Sequence, residues 1–367
     1  MRFSFLLVVA AGFAAAQSRV GIFEGRADVG DVLTAGRVSY DADSKSYAID
    51  ASGENMWFAK DEFHFVWKKV SADFRLEADI SFPTSGGNAH KKAVLMARQS
   101  LAADSAYADV AVHGDGLTSL QARDESGANT HEVGINAAKP VRVRLEKRGE
   151  YFYMYLATAA GEPLRFSGAS MRVQLKAPFY VGIGVCAHDK NAVERAVFSN
   201  VLLSEGSSTR RTTLWSTVET ISVASTDRRV VWTEPARLEN IVWSAESGLV
   251  FNRGTGLFRV PATGKMAPVA VQPGERVGWV GSAASPKGPK DEALCEPHIS
   301  PDEKLIAFLA GACAPEDRDV ALQVWSVANE NVRTLARFTG GAGTLKGWPW
   351  SADGKSLAFV SYHQVPE

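Results

Sequence analysis

The chain has 367 residues, a hydrophobic fraction of 46% and a formal net charge of -1. That length predicts two domains of ordinary size with substantial apolar cores. The near-zero net charge argues against a nucleic-acid-binding protein, because no basic field is present to attract phosphates.

The first 16 residues have the pattern of a secretory signal peptide. Arg2 supplies a short positive region, residues 3–13 are apolar apart from Ser4, and Ala14–Ala16 form a small-residue cleavage site. This pattern predicts a mature chain that starts at Gln17 and is periplasmic or secreted. A buried N-terminal helix is the alternative. No later stretch is apolar enough for a transmembrane helix.

Residues 17–205 alternate between apolar and polar side chains in short runs, which is the period of strands with one buried face. In the run FRLEADISF the residues predicted to point inward are Phe74, Leu76, Ala78 and Ile80, and in PFYVGIGVCAHD they are Phe179, Val181, Ile183 and Val185. About ten such runs, with almost no helical pattern, predict an all-β jelly-roll sandwich of two sheets.

Three consecutive runs, AVLMARQS, YADVAVHGD and LTSLQARDE, dominate this domain. If they are antiparallel neighbours, one sheet face gathers an unusual density of polar and aromatic groups. We predict that this face binds a polar ligand such as a sugar, because carbohydrate recognition uses planar polar side chains and an aromatic platform. An exposed face with many salt bridges is the alternative. The predicted binding residues are Arg98, Tyr107, Asp109, His113, Gln121 and Arg123, with Trp57 or Tyr180 as the platform.

A polar stretch, residues 206–213, is predicted to link the sandwich to a second domain, residues 214–367. In that domain SPDEKLIAF, residues 300–308, and SADGKSLAF, residues 351–359, each combine an acidic turn with an apolar strand. Such repeated units predict propeller blades. Because closed propellers have about four to eight blades, the short region favours an incomplete ring. The alternative is a small four-bladed propeller in which residues 274–293 form a surface loop.

The chain contains three cysteines. Cys295 and Cys313 lie 18 residues apart and could form a disulfide bond in an oxidising compartment. Cys186 would then be a buried and inert thiol in a strand, although its position opposite the inward residues requires something to cover that face. None of the three has a partner at zinc-ligand spacing.

Two parts of the chain resemble known families. Residues 21–205 resemble the concanavalin-like jelly-roll domain of exported bacterial proteins, through ENMWFAKDEFHFVWKKVSADF, KKAVLMARQSLAADSAYADVAVHGDGLTSLQ, EKRGEYFYM and PFYVGIGVCAHD. The second half resembles the TolB propeller, through SPDEKLIAF, SADGKSLAFVSY and DRDVALQVWSV. The first resemblance implies glycan binding, or glycan hydrolysis in some branches. The second implies protein interaction in the cell envelope, with blades missing from a family pattern of about six.

An enzymatic interpretation rests on Glu77 and Asp79, which share one face of a predicted strand. Jelly-roll glucanases follow such a pair with a further Glu, which is missing here, and a retaining glycosidase needs two carboxyl groups about 5 Å apart. No metal or cofactor is specified, although a structural calcium would be compatible with a jelly roll. The sequence therefore favours a non-enzymatic exported binding protein with a glycan and an envelope protein as partners. A glycoside hydrolase-like enzyme and a pure protein-interaction scaffold are the alternatives.

Overall fold

The structure is a computed structural model that describes residues 19–137, 139–206, 211–244, 248–272, 294–310 and 318–366. Every regular element in these ranges is a strand, which confirms the all-β prediction. No helix able to cross a bilayer is found within them. The predicted signal peptide, residues 1–16, lies outside the described residues.

The strands before residue 206 are β1 (Gly25–Val29), β2 (Arg37–Asp41), β3 (Ser46–Ala51), β4 (Met56–Trp57), β5 (Lys60–Asp61), β6 (Phe63–Val70), β7 (Phe74–Ser81), β8 (Lys92–Arg98), β9 (Tyr107–His113), β10 (Thr118–Arg123), β11 (His131–Gly134), β12 (Arg142–Arg148), β13 (Tyr151–Ala157), β14 (Arg165–Arg172), β15 (Phe179–Cys186) and β16 (Glu194–Glu205). The strands after it are β17 (Thr212–Ser222), β18 (Arg228–Glu234), β19 (Leu238–Trp243), β20 (Gly248–Arg253), β21 (Gly256–Pro261), β22 (Val269–Ala270), β23 (Cys295–Ile299), β24 (Leu305–Ala310), β25 (Arg318–Ser326), β26 (Val332–Gly340), β27 (Gly347–Trp348) and β28 (Ser356–Pro366).

Two facing sheets enclose the main core of the N-terminal half. One has seven strands in the order β14-β13-β12-β7-β16-β3-β2, and the other begins β1-β6-β15-β8-β9-β10-β11. The inward residues predicted for β7 and β15 are at most 6% exposed and belong to a single apolar cluster. The alternation read from the sequence therefore assigns the core side of both sheets correctly, and the sandwich is as predicted.

The middle strands of the larger sheet are buried on both faces. Every residue of β8, β9 and β10 is buried, whereas the sequence predicted one wet face. One set of alternate residues, such as Leu95, Val110 and Leu120, packs toward the seven-stranded sheet. The other set combines the polar residues with Val94, Met96 and Ala111 and lies beneath the short β4–β5 hairpin and nearby loops. Cys186 lies on the same covered face, so its predicted burial is confirmed.

The larger sheet continues into the C-terminal half. β11 pairs in parallel with β18 through Val133 and Arg228, and β18 continues to β17 and β28 to give ten strands. Where β14 crosses this region Gly168 has a φ of 88°, and a Cβ there would lie 3.0 Å from Val230. β17 begins at Thr212, inside the predicted linker, and residues 207–210 lie outside the description. The division into 17–205 and 214–367 stays a prediction, and one sheet crosses it.

The two repeated turns of the C-terminal half have the same hydrogen bonds. Ser300 Oγ donates to Asp302 at 2.7 Å, and Ser351 Oγ donates to Asp353 at 2.7 Å. In each turn the serine oxygen accepts the backbone N–H of the following strand, at 3.0 and 2.9 Å. The serine hydrogen bond is the main reason that the pKa of each aspartate is lowered. The repeat predicted from the sequence is therefore a repeat of structure.

The strands of this half form three blade-like sheets within the described residues. They are β22-β21-β20-β19-β27, β23-β24-β25-β26 and the β18-β17-β28 end of the larger sheet. Closed propellers have about four to eight blades. The three sheets fit a partial or small propeller, and the choice between an incomplete ring and a small four-bladed propeller stays a prediction. The stretch 274–293 lies outside the described residues. Cys186 is a free thiol and Cys295 is disulfide-bonded, whereas position 313 is not among the described residues.

Candidate functional site

The three central strands bring the predicted polar residues together. β9 pairs antiparallel with both β8 and β10, and Tyr107 lies opposite Arg98 on one side and Arg123 on the other. Asp109 lies opposite Gln121 in the same register. The grouping deduced from strand parity is therefore confirmed.

The exposure expected for this group is not found. The polar face, formed by Arg98, Tyr107, Asp109, His113, Gln121 and Arg123, is only 0–3% exposed. The expectation of an open hydrophilic surface is corrected for a physical reason: a hairpin from an earlier part of the chain lies over it. Ligand contact by these six side chains is still a prediction, and in this conformation they form a sealed floor.

Asp61, at the end of the β4–β5 hairpin, links this hairpin to the polar face beneath it. Its carboxylate receives two hydrogen bonds from Arg123, at 2.7 and 3.0 Å, and one from Arg98 at 3.2 Å. Arg123 also donates to the backbone carbonyl of Phe58 at 2.8 Å. Phe58 has a φ of 50°, and a non-glycine residue keeps that left-handed conformation only when its surroundings enforce it.

A second buried contact ties the hairpin to the sheet through Lys92. Its Nζ donates to the backbone carbonyl of Met56 at 3.0 Å and to Gln121 at 3.2 Å, and it lies 5.2 Å from the centre of the Trp57 ring. Burial lowers the pKa of Lys92 and raises the pKa of Asp109. Neither carboxylate oxygen of Asp109 has a hydrogen-bond partner among the described residues.

Above the hairpin lies an open groove of about 770 Å³. Phe58 projects into solvent with 66% of its surface exposed, and Trp57 beside it is half-buried. The facing loops supply amide and carboxylate groups. The Asn88 side-chain amide donates to the carbonyl of His188 at 3.0 Å, and the backbone N–H of Asp189 donates to the Gly53 carbonyl at 3.1 Å. The residues that line the groove are Glu54, Asn55, Trp57, Phe58, Ala59, Lys60, Glu62, Asn88, His188, Asp189, Lys190 and Asn191.

Of the predicted binding residues, only Trp57 lines this groove. Tyr180, the other predicted platform, packs edge-on against Trp67 with ring centres 4.8 Å apart, away from the groove. Sequence reasoning missed the polar loop residues, because loops have no period from which a face can be assigned. The usable signals were the aromatic pair of Trp57 and Phe58 between turns and the Asp189–Asn191 stretch directly after a strand.

The carboxylate pair considered for catalysis is held in ion pairs. Arg142 donates to Asp79 at 2.7 Å and to Glu77 at 3.0 Å, and Arg144 donates to Glu77 at 2.8 Å. These residues lie on the outer face of the seven-stranded sheet, opposite the core residues of β7. The arrangement fits a strand face stabilised by ion pairs.

Three histidines lie near one end of the groove. The His90 ring is centred 6.1 Å from His113 and 5.7 Å from His188. Burial lowers the pKa of His113 to about 4, with a smaller effect from the Lys92 charge. The described residues contain no group of three or more His, Cys, Asp or Glu side chains placed to hold a metal ion. A structural calcium therefore stays a prediction.

Comparison with known proteins gives limited information. No family model matches the chain. An uncharacterized protein of Agrobacterium fabrum is 36% identical over 73 residues, which are 19% of this chain and 25% of that protein, so the chain spans about a quarter of the relative's length.

Three solved structures with partial likeness to the chain are all-β proteins. A "putative TolB" from Agrobacterium tumefaciens is 17% identical, with 42% of this chain and 100% of that chain covered and a TM-score of 0.31. An alginate lyase from Klebsiella pneumoniae is 12% identical, with 46% and 84% covered and a TM-score of 0.31. A glycosyl hydrolase family protein from Mycobacterium fortuitum is 12% identical, with 53% and 100% covered and a TM-score of 0.30. Likeness at this level assigns no function.

Proposed function

We propose that the chain is an exported, non-enzymatic carbohydrate-binding protein whose contact surface is the groove above the β4–β5 hairpin. The observation that carries the proposal is the exposed Phe58 beside Trp57, facing loops that present Asn88, Asp189 and Asn191. Sugar rings stack their apolar C–H faces on aromatic rings and hydrogen-bond at their edges to amides and carboxylates. The groove offers both kinds of contact side by side.

The volume of the groove and the charges on its wall favour a neutral glycan segment as the ligand. A volume of about 770 Å³ lies within the usual range of about 300–1,000 Å³ for small-molecule sites. The wall carries Glu54, Glu62 and Asp189 against Lys60 and Lys190, and burial lowers the pKa of His188, which favours its neutral form. These charges nearly cancel, so neither a strongly acidic nor a strongly basic sugar is favoured.

The buried polar face supports the groove by fixing the β4–β5 hairpin, which carries Trp57 and Phe58. Asp61, Arg98 and Arg123 fix the hairpin from below, and Lys92 holds the carbonyl of Met56. A binding site that is already ordered loses less conformational entropy when its ligand arrives. The predicted binding residues would thus act through the hairpin rather than by touching the sugar.

The test is a glycan-array screen of the mature protein, followed by calorimetry with the best neutral oligosaccharide. Phe58→Ala and Asn191→Ala should each weaken binding about tenfold or more, which corresponds to a loss of about 1.4 kcal/mol or more. Both residues are exposed, so the melting temperature should hardly change. Phe58→Tyr keeps the ring and should restore most of the affinity.

Leu202→Ala is the matched control, because Leu202 is 59% exposed and lies on β16 in the opposite sheet. It should bind like the unaltered protein. The proposal fails if no glycan binds, or if Phe58→Ala and Leu202→Ala bind equally well. Turnover of a bound oligosaccharide would instead support the glycoside hydrolase-like alternative.

A further inference from the structure

The junction between the two halves contains a cavity with three arginines on its wall. The cavity has a volume of about 300 Å³ and lies between the ends of β11 and β14 on one side and β18 and β26 on the other. Its charged and polar lining residues are Asp124, His131, Arg172, Arg228, Arg337 and the hydroxyl-bearing Thr226 and Thr334. It lies apart from the groove above the β4–β5 hairpin, with which it shares no lining residue.

Two of the three arginines, Arg172 and Arg337, have N–H groups without an acceptor among the described residues. Arg172 pairs with Glu150 at 2.5 Å, but its buried Nε has no hydrogen-bond partner among the described residues and lies 3.9 Å from a carboxylate oxygen of Asp319. Arg337 is exposed and has no ion pair or hydrogen bond with any described residue. Because like charges at one cavity repel, an anion between Arg172 and Arg337 would reduce their repulsion. It would also supply the hydrogen-bond acceptors that these N–H groups lack.

The remaining wall restricts what such an anion would be. Arg228 is held rigidly, since it donates to both oxygens of Glu219 and to the Ser170 carbonyl at 2.9 Å each. Thr334 Oγ1 accepts a hydrogen bond from Gln323 at 3.0 Å, which leaves its hydroxyl proton available to a ligand. Guanidinium groups match the oxygens of a phosphate in pairs of parallel hydrogen bonds.

We propose that this cavity binds a small phosphate-bearing molecule, with Arg172 and Arg337 as its principal ligands. The cavity volume is at the low end of ordinary ligand sites, which fits a molecule of metabolite size. The Asp124 carboxylate on the wall would accept hydrogen bonds from hydroxyl groups of the organic part. Since both halves contribute to the wall, binding would also hold the halves together.

The experiment is isothermal titration calorimetry of the full mature protein at low ionic strength, with inorganic phosphate and glycerol 3-phosphate as probes. Saturable binding to one site is expected, and Arg337→Gln should weaken it about tenfold or more, because one charge-assisted hydrogen-bonding group is lost. Arg337 is exposed and has no ion pair or hydrogen bond within the described part of the chain, so this variant should fold normally. Arg172→Gln should have a similar effect if it folds.

Arg165→Gln is the matched control, because Arg165 is an exposed arginine at the other end of β14 and does not line the cavity. It should bind like the unaltered protein. Tighter binding of glycerol 3-phosphate than of phosphate would show that the organic part is recognised. Absence of saturable heat with both probes, or equal affinities for Arg337→Gln and Arg165→Gln, would overturn the proposal without affecting the proposed glycan groove.

Discussion

Replacing Asp61 with Asn should destabilise the protein far more than the same change at Asp50. Each aspartate forms a bidentate ion pair with an arginine. Arg123 donates to Asp61 at 2.7 and 3.0 Å, and Arg195 donates to Asp50 at 2.6 and 2.7 Å. The side chains of Asp61 and Arg123 are 0% exposed, whereas Arg195 is 52% exposed. The two substitutions therefore differ chiefly in burial.

The magnitude follows from the charges that Asp61 leaves behind. Asn keeps the size of the side chain but removes the negative charge, so Arg98 and Arg123 stay buried without compensation. Removing one partner of a buried pair costs about 3–5 kcal/mol. For an unfolding unit of about 150–250 residues this lowers the melting temperature by about 6–20 °C. Solvent and salt screen the Asp50 pair, so its loss should be small.

Calorimetry of both variants at pH 7, together with urea unfolding followed by tryptophan fluorescence, measures the difference. Burial raises the pKa of Asp61, while the hydrogen bond from Arg123 and the charge of Arg98 oppose that shift. If the folded protein held Asp61 protonated, Asn would be a near-neutral replacement. Equal melting temperatures for the two variants would therefore refute the ionic account of how the hairpin is fastened.

Three further predictions concern other buried groups. Glu219→Gln should cost about 3–5 kcal/mol in urea unfolding, because Arg228 would lose its buried carboxylate; a loss below about 1 kcal/mol would contradict this. Cys186 should resist iodoacetamide at pH 8 until the protein unfolds, since burial raises its pKa to about 12; rapid labelling of folded protein would show that its cover opens. Burial lowers the pKa of His363 from 6.5 to about 3, so the unfolded chain binds a proton that the folded chain does not. The free energy of unfolding should therefore fall by about 1.4 kcal/mol per pH unit as the pH drops from 6.5 toward 3. His363→Gln should reduce that slope, and an unchanged slope would refute the assignment.

The sequence predicted which residues meet, but not whether water reaches them. Alternation placed Arg98, Asp109 and Arg123 on one face because a strand turns each successive side chain to the opposite side. The cover could not be predicted in this way, since Asp61 lies in the short stretch AKDEF, where an acidic residue looks like ordinary surface. Its partner Arg123 is 62 residues away, and no local period reports a contact over that distance.

The repeated turns show the opposite case. Ser300 and Ser351 each bond to an acidic residue two positions on and to the strand that follows, so local sequence determines the local structure. Of the two rings predicted as an aromatic platform, Trp57 lines the groove, whereas Tyr180 packs against Trp67. Strand pairing across the junction was not predictable, because β11 and β18 pair through only a few residues and are far apart in the chain.

The pairing of β11 with β18 explains why the two halves belong to one structure. A sandwich that ended at β11 would present an unpaired strand edge, which invites association with other chains. Here the edge is covered by β18, and behind it Arg228 joins Glu219 in the C-terminal half to the Ser170 carbonyl in the sandwich. His363 packs against Tyr153 and Phe166 across the same junction. Because the Arg228 contacts are buried and charged, separating the halves would expose a strand edge and leave polar groups without partners, and both costs favour a joined arrangement.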